Sequence, residues 1–343
     1  MIKVSTQKIL FIGDLTLGHC ARSLVEGFLP LNLEIRSLDT STYMRNQSLG
    51  SREWVQRKIF KRPSSEWVNE FKNRLYELTS NWKPDILFCI NTIHIPQEIL
   101  LGVKCGLRAH LSYDDVSNAD NLTSDYLEYE FNWDVIFTNK SYNVDELKLR
   151  TNSKVSYFAN AYNPVIHRLT MPLDSRKWDL GFIGARREDR KNLPRVFSSL
   201  GSTKSVIAGP RWRRSYPFGI QGVTFLPEVL NTEYTSLGNQ IKAGICLLNS
   251  SNRDEITTRS FELPALGQLV IGKKTREHES LLENEVEAFW FDSTAEMISF
   301  ASDILKDPRE ALRVSLAGNR RITSGKNTYM DRAEVMLKSL IQD

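Results

Sequence analysis

The residues best placed for chemistry lie in one segment, Asp254–Gly267, with the sequence DEITTRSFELPALG. Two acids, Asp254 and Glu262, stand on either side of Arg259. Arg259 and Glu262 are three residues apart, so a helix would place both side chains on the same face. Such a face suits a ligand with an anionic centre, which the arginine would hold, and hydroxyl groups at its ends, which the acids would bind.

Two threonines mark where a helix in this segment would begin. Thr257 and Thr258 are good N-cap residues, and the free N–H groups and dipole of a helix that follows them favour an anion. Pro264 costs a hydrogen bond beyond the first turn, so the helix must be short or begin late. Its first residue is left open between Thr257 and Ser260. A nucleotide sugar has the required chemistry, and a surface helix with an ion pair is the alternative.

The segment resembles the C-terminal half of GT-B glycosyltransferases, in particular the family of the spore maturation protein CgeB. That family carries a D-x-x-T-x-R-x-F-E pattern and then a small-residue turn ending in glycine. The matching residues here are Asp254, Thr257, Arg259, Phe261, Glu262 and Gly267. The two acids are eight residues apart, as in the E-x7-E motif of retaining GT-B enzymes, although the first is Asp. The resemblance implies that Glu262 binds the ribose hydroxyls and that Asp254 contacts the donor sugar.

A second cluster begins at Gly184, which ends an apolar run and is followed closely by three arginines. Glycine permits close backbone approach, and arginine suits bidentate contact with phosphate. The turn resembles the F-x-G-R-x4-K motif of retaining GT-B enzymes, in which a basic pair holds the donor diphosphate. Arg190 falls on the second basic position, whereas Ala185 holds the first and Arg186 follows it, so Arg190 is the better candidate. Trp212, in a G-x-x-W pattern of the same family, is expected to pack near the nucleotide.

The first half of the chain offers three candidate catalytic residues. His19 lies in the loop after the strand-like run Lys8–Gly13, where it would orient an acceptor or act as a general base. Asp114 and Asp115 follow Leu107–Leu111, and the end of a parallel strand is where α/β ligand sites form. They resemble the Asp-Asp pair of the CgeB-like family, and the sequence does not choose between them. A loop histidine without a role and a helix N-cap beside a surface acid are the alternatives.

Alternating strands and helices from residue 8 to 158 indicate an α/β domain, and a second such unit begins near Asp179. The predicted strands are Lys8–Gly13, Leu33–Ser37, Asp85–Ile90, Leu107–Leu111, Asp134–Thr138, Val155–Phe158, Asp179–Gly184, Val206–Gly209, Val223–Leu226, Gly244–Leu248 and Leu269–Ile271. The predicted helices are Ala21–Gly27, two within Arg45–Arg74 that break near Pro63, Pro96–Lys104, Tyr142–Arg150, Thr232–Lys242, Thr294–Leu305, Pro308–Thr323 and Thr328–Ile341.

A chain of 343 residues exceeds what one hydrophobic core usually supports. The resemblance covers nearly all of it and implies the GT-B fold, with two Rossmann-like doubly wound domains, a cleft between them and a C-terminal helix that crosses back. We predict an acceptor-binding domain over 1–170, a donor-binding domain over 171–325 and a helix within 326–343 that packs on the first domain. Asn160 and Tyr162 are expected to line the cleft.

The composition of the chain limits the kinds of partner and compartment that are expected for it. A net charge of +4 does not by itself imply nucleic acid, and no apolar run is long enough to span a membrane. The N-terminus lacks a signal-peptide pattern, and four scattered cysteines indicate reduced thiols in a cytoplasmic protein. Arg45–Arg74 carries eight Lys or Arg among aromatic residues, which predicts contact with an anionic acceptor or with lipid headgroups at the inner face of a membrane. Two amphipathic helices with solvated charges are the alternative.

The predicted reaction moves a sugar from a nucleoside diphosphate to a glycan, a lipid-linked glycan or a protein. Arg190, Arg259 and the amides near Thr257 would stabilise the charge on the departing diphosphate. No Asp-x-Asp triplet occurs, so neither a metal nor another cofactor is expected. The spacing of the two acids implies retention by analogy. The alternatives are an inverting enzyme with His19 or an acid of the Asp114/Asp115 pair as base, a non-catalytic nucleotide-sugar-binding protein, and a nucleotide-sugar epimerase.

Overall fold

The structure, a computed structural model, describes residues 6–41, 63–201 and 203–341. The chain divides into two compact units. Unit 1 extends to Ala159 and takes up the chain again from Tyr329, and unit 2 is Asn160–Thr328. The sequence had favoured boundaries after residues 170 and 325. Most of the predicted helical pair in Arg45–Arg74 lies outside the described residues.

The described part of unit 1 is built on a parallel sheet of six strands in the order β2-β1-β3-β4-β5-β6. The strands are β1 Lys8–Gly13, β2 Glu34–Asp39, β3 Ile86–Ile90, β4 Leu107–Ser112, β5 Val135–Thr138 and β6 Lys154–Tyr157. The helices are α1 Cys20–Phe28, α2 Ser65–Ser80, α3 Gln97–Leu101, α4 Ser124–Tyr129 and α5 Asn143–Arg150. All five residues of β3 are buried, as expected for a strand covered by helices on both faces.

The described part of unit 2 repeats this plan, with six parallel strands in the order β12-β11-β10-β7-β8-β9. The strands are β7 Trp178–Ile183, β8 Ser205–Ala208, β9 Val223–Leu226, β10 Ile241–Cys246, β11 Leu269–Lys273 and β12 Phe289–Phe291. The helices are α6 Leu193–Ser199, α7 Trp212–Ser215, α8 Asn231–Gly238, α9 Arg259–Ala265, α10 Arg276–Leu281, α11 Thr294–Lys306 and α12 Pro308–Ser324. The strand order reverses between β7 and β10, and ligands of doubly wound sheets bind outside the carboxyl ends of the strands at such a point.

The last helix, α13 Tyr329–Ile341, belongs to unit 1 and packs on α1. Gly27 on α1 permits this contact, because a Cβ there would lie 2.6 Å from the carbonyl oxygen of Tyr329. Arg332 on α13 also donates a hydrogen bond to the carbonyl of Ala159 at 2.9 Å. The end of the chain is thus held against the same unit in which the chain begins.

The predicted strands were all found, with ends that differ by a few residues. The predicted helix Thr232–Lys242 is too long, because α8 ends at Gly238 and the chain enters β10 at Ile241. Ile241 is buried and pairs with Trp178 of β7, so sheet pairing overrides the helical pattern. The helix predicted at Pro96–Lys104 also stops early, at Leu101. The sequence pattern did not predict α4, α6, α7, α10 or β12.

Arg176, which precedes β7, holds three parts of unit 2 together. It is 4% exposed, and its guanidinium donates to the carbonyl of Ile241 at 2.7 Å and to that of Leu266 at 2.8 Å. A third contact is to the carbonyl of Met171. Burial lowers the pKa of Arg176 to about 10, so the group stays charged at neutral pH. Because Leu266 is the C-cap residue of α9, the cation also lies at the negative end of that helix.

We expect Arg176→Met to lower the free energy of unfolding by about 3 kcal/mol, since several buried carbonyls would lose their donors while the side-chain volume is kept. Chemical denaturation of the purified chain measures the effect. Arg176→Lys, which keeps one charged donor group, should recover part of the loss. Equal stability of the Met variant and the wild type would show that these carbonyls find other partners.

Candidate functional site

The turns that follow β7 and β8 pack directly against each other. The carbonyl of Gly184 accepts a hydrogen bond from the indole N–H of Trp212 at 2.8 Å. Gly209 has a φ of +144°, and a Cβ there would lie 2.2 Å from the same carbonyl oxygen. Trp212 is fully buried, so it holds the Gly184 turn in place and presents no exposed surface to a nucleotide. That Trp212 packs near the nucleotide stays a prediction.

Arg190 joins the loop after β7 to the loop after β10. Its Nη2 donates to the carbonyl of Leu248 at 3.1 Å, and its guanidinium carbon lies 5.5 Å from the ring centre of Phe182. Asp189 pairs with it at 3.4 Å and accepts hydrogen bonds from the amide and the hydroxyl of Ser250. Burial lowers the pKa of Arg190, but a guanidinium remains charged in proteins. The positive charge is therefore fixed at the carboxyl end of the sheet.

Arg186 lies in the same turn. Its backbone N–H donates to the carbonyl of Pro210 at 3.2 Å, and its Nη1 lies 3.2 Å from a carboxylate oxygen of Glu188. Its Nε is buried and has no hydrogen-bond partner among the residues that the structure describes. A buried charged donor without a partner is costly, so this nitrogen is a candidate contact for an anion.

The helix in the Asp254–Gly267 segment begins at Arg259, within the predicted interval. It has seven residues, and Pro264 lies near its end, consistent with the expected short helix. The hydroxyl of Thr257 accepts the amide of Arg259 at 3.1 Å, whereas Thr258 occupies the N-cap position and makes no side-chain cap. The hydroxyl of Thr257 is therefore engaged in a hydrogen bond within this turn.

Arg259 and Glu262 form an ion pair on α9, as their spacing predicted. The Nε of Arg259 also donates to the carbonyl of Ile183 at 3.3 Å, which brings the guanidinium to the end of β7. The side chain of Arg259 is 31% exposed, so part of it can meet a ligand. Both Arg259 and Arg190 act on the thiol of Cys246 at the end of β10, whose pKa burial raises to about 11. The two arginines therefore gather at one end of the sheet.

Glu262 is buried and ionised. Its carboxylate pairs with Arg259, accepts the hydroxyl of Tyr234 at 3.2 Å and lies 3.7 Å from Nε2 of His167. Burial alone would raise the pKa of Glu262, but the charge of Arg259 and these other contacts hold it below its ordinary value. Asp254, the other acid of the motif, is half-buried at the start of the segment.

Sequence reasoning missed Tyr234 and His167 as neighbours of Glu262. Tyr234 lies 28 residues away along the chain, on α8, and no local pattern marks it. His167 lies between β6 and β7, in the stretch where only Asn160 and Tyr162 were expected to have a role. Its contacts become visible only when the strand order brings that stretch beside α9.

His278 on α10 orients the start of α9. Its Nδ1–H donates to the carbonyl of Lys273 at 2.7 Å, so its Nε2 accepts the hydroxyl of Ser260, also at 2.7 Å. The same hydroxyl oxygen accepts the amide of Thr257 at 3.3 Å. His278 stacks on Trp290 of β12 with ring centres 4.4 Å apart. A neutral imidazole is required for this chain of hydrogen bonds.

Lowering the pH should reduce the free energy of unfolding through protonation of His278. Burial lowers its pKa from 6.5 to about 4, so the unfolded chain binds more protons between these two values. Stability should therefore fall by up to about 3 kcal/mol as the pH drops from 6.5 to 4. Denaturant unfolding at several pH values measures the slope, and His278→Gln should flatten it. His110, whose pKa burial lowers to about 3, and His167 and Glu262, whose pKa values are also lowered in the folded protein, contribute to the slope that remains. An unchanged slope in the variant would exclude His278 as its source.

In unit 1 the two adjacent acids, Asp114 and Asp115, differ in burial. Asp115 is 3% exposed, and its Oδ1 accepts the amide of Ser117 at 2.9 Å. Asp114 is half-buried, and its carboxylate makes no hydrogen bond to any described residue. Its backbone carbonyl accepts the side-chain amide of Asn143 at 2.8 Å and the hydroxyl of Ser112 at 3.5 Å. His19 is exposed at the N-cap of α1, where its Nδ1 accepts the amide of Ala21 at 3.4 Å. Asp114 is the more accessible carboxylate.

Within residues 6–41, 63–201 and 203–341, no group of three or more His, Cys, Asp or Glu side chains is arranged to hold a metal ion. None of the helices there combines the length and the apolar composition that crossing a bilayer requires.

Residues 186–338, less than half of the chain, match a family model described as glycosyl transferase-like. HepE of Anabaena, solved with UDP and glucose, aligns over 97% of this chain and 99% of its own, with 11% identity and a TM-score of 0.67. Sucrose-phosphate synthase of Thermosynechococcus elongatus aligns over 97% of this chain and 98% of its own, with 13% identity and a TM-score of 0.68. An α-glucosyltransferase solved with UDP and a 13-mer DNA containing an HMU base aligns over 98% of this chain and 100% of its own, with 13% identity and a TM-score of 0.69. The comparison with curated proteins found no match.

Likeness at 11–13% identity establishes the fold, and the two parallel sheets with flanking helices are those of GT-B structures. The family match adds the type of activity for unit 2, where it includes Arg186, Arg190, Arg259 and Glu262. The narrower resemblance to CgeB stays a prediction. The chain therefore has the GT-B fold, and residues 186–338 of it are glycosyl transferase-like.

Proposed function

We propose that the protein transfers a sugar from a nucleoside diphosphate sugar to an acceptor hydroxyl, with unit 2 holding the donor. The observation that carries this proposal is the convergence of Arg190 and Arg259 at the carboxyl ends of β7 and β10. Gly184 directly follows β7, at the end of the sheet where ligands of doubly wound folds bind. Two of the similar structures were solved with UDP, so uridine is the first base to test.

The chemistry requires that the bond between the anomeric carbon and the β-phosphate oxygen breaks while the acceptor oxygen bonds to that carbon. Negative charge grows on the departing diphosphate. Arg190 and Arg259 are already fixed by the carbonyls of Leu248 and Ile183, so little reorganisation is needed when that charge develops. The buried Nε of Arg186 supplies a further donor. These cations take the role that a metal ion has in other transferases, so the proposed reaction is metal-independent.

Retention of the anomeric configuration is the stereochemistry we propose, from the eight-residue spacing of Asp254 and Glu262. The acceptor proton would then pass to the departing phosphate. An inverting reaction needs a separate base. The accessible carboxylate of Asp114 is better suited to that role than Asp115, which is buried with its Oδ1 in a turn, or His19, whose Nδ1 caps α1. NMR of the product distinguishes the two outcomes by the coupling of the anomeric proton.

The acceptor that we propose is a glycan, a lipid-linked glycan or another protein. We propose that the enzyme itself works in the cytoplasm. A lipid-linked acceptor would place it at the inner face of the membrane, with the basic region Arg45–Arg74 against the headgroups. Sedimentation with anionic and neutral vesicles tests this contact. Equal, weak binding to both vesicle types would leave a soluble acceptor as the proposal.

A thermal-shift screen of the wild type against nucleoside diphosphates and their sugars tests the donor assignment. A ligand present at 100 times its dissociation constant should stabilise the protein by about 2.7 kcal/mol. Radiolabelled donor then reports transfer, with and without EDTA. No stabilisation by any nucleoside diphosphate would overturn the proposal. Tight donor binding with no transfer to any acceptor would indicate a binding protein, and an epimerised donor formed without acceptor would indicate an epimerase.

A further inference from the structure

The carboxylate of Glu262 is engaged from the interior of unit 2. Its Oε2 accepts hydrogen bonds from Arg259 and from the hydroxyl of Tyr234, and its Oε1 faces Nε2 of His167 at 3.7 Å. The residue is 5% exposed, whereas the side chain of Arg259 is 31% exposed. The carboxylate therefore lies beneath the arginine, and the arginine is the member of the pair that a ligand can reach.

The backbone fixes the proton of His167 on the side of Glu262. The amide of Asn163 donates to Nδ1 of His167 at 3.0 Å, so Nδ1 carries no proton. The proton of the neutral ring is then on Nε2, which faces the carboxylate. Burial lowers the pKa of His167, which keeps the ring neutral at pH 7. His167 thus acts as a neutral donor directed at Glu262.

Tyr234 contacts both members of the ion pair. Its hydroxyl donates to Glu262, and the guanidinium carbon of Arg259 lies 4.8 Å from the centre of its ring. His167 packs edge-on against the same ring, with centres 5.3 Å apart. One aromatic side chain therefore sets both the position of the carboxylate and the plane on which the guanidinium lies.

We propose that Tyr234 and His167 are positioning residues that hold Arg259 through Glu262 for contact with the donor diphosphate. Glu262 then serves as the anchor of Arg259 and does not bind the ribose. The inference rests on the proposed function, because Arg259 needs a diphosphate to bind. It differs from the role that the E-x7-E resemblance implied for Glu262.

A ligand pair separates the two roles. A nucleoside has the ribose and no phosphate, and its diphosphate adds only the phosphates. If Glu262 anchors Arg259, its loss weakens the diphosphate and spares the nucleoside. If Glu262 binds the ribose, its loss weakens both ligands by the same factor. Uridine and UDP form the first pair, and another base replaces uridine if the thermal-shift screen selects it.

Titration calorimetry on the full chain provides the measurement. We expect Tyr234→Phe and Glu262→Gln to weaken UDP binding by about 10- to 100-fold, the range for losing a charged hydrogen bond, and to leave uridine binding within about twofold. His167→Gln should have a smaller effect of the same kind, because its contact is longer. Tyr126→Phe is the matched control, since it removes the hydroxyl of a buried tyrosine beside His110 in unit 1 and should change neither affinity.

A double-mutant cycle separates positioning from general loosening of the unit. If Tyr234 acts through Arg259, the double variant Tyr234→Phe/Arg259→Ala should bind UDP no more weakly than Arg259→Ala alone. Additive losses, equal weakening of uridine and UDP by Glu262→Gln, or unchanged UDP affinity in Tyr234→Phe would each overturn the inference. A wild type that binds none of the nucleoside diphosphates would instead refute the proposed function, and this inference with it.

Discussion

Replacing Arg190 with alanine should lower kcat/KM for sugar transfer by about 10²- to 10³-fold, the effect of removing one preorganised donor to a developing anion. Arg190 is 11% exposed on its side chain and is held by Leu248 and Phe182, so neither water nor a neighbouring side chain easily takes its place. Initial rates at donor concentrations well below KM measure the effect. Both kcat and KM should change, since the diphosphate is present in the ground state and gains charge in the transition state.

Two further variants test whether the loss of activity is specific to the position and the shape of the Arg190 side chain. Arg195→Ala removes the same charge from an exposed position on α6 and should retain activity within about twofold, because long-range surface charge is screened by salt. Arg190→Lys keeps the charge but loses the planar fork and should be intermediate. If Arg190→Ala were as active as Arg195→Ala, the donor diphosphate would have to lie elsewhere on unit 2.

The strands of both sheets could be predicted because buried parallel strands are short apolar runs that need little context. Residues Ile86–Ile90 show this well, since all five are buried and the sequence contains no polar residue among them. Helix ends were harder to predict, because they depend on contacts from distant parts of the chain. Gly238 ends α8 where a Cβ would lie 2.7 Å from the side chain of Leu266, and no local pattern indicates that contact.

The same limit applies to the candidate site. Arg259 and Glu262 could be paired from their spacing, because residues three apart on a helix are neighbours whatever surrounds them. Tyr234 and Arg176 reach α9 from other elements, so the sequence placed neither of them there. Trp212 could be singled out as an aromatic residue near a glycine, but only the structure shows that its indole is buried against Gly184.

Gly209 connects the stability of unit 2 to the shape of the donor site. Its φ of +144° lies in a region that residues with a Cβ rarely adopt, and a Cβ there would lie 2.2 Å from the carbonyl oxygen of Gly184. The obstacle is backbone, which cannot rotate away as a side chain can. We expect Gly209→Ala to lower the free energy of unfolding by about 3 kcal/mol or more, with denaturant midpoints as the measurement.

The same substitution should also disturb donor binding in the molecules that still fold, because relief of the clash must move the Gly184 turn. A displacement of about 1 Å in such a turn can cost about 100-fold in rate. Gly219→Ala is the matched control: its φ of +71° is also unfavourable for alanine, but no atom lies within 4 Å of the added Cβ. It should cost about 1–2 kcal/mol and leave UDP affinity unchanged. If the two variants lost equal stability, the close approach of the two turns would not be what requires glycine at position 209.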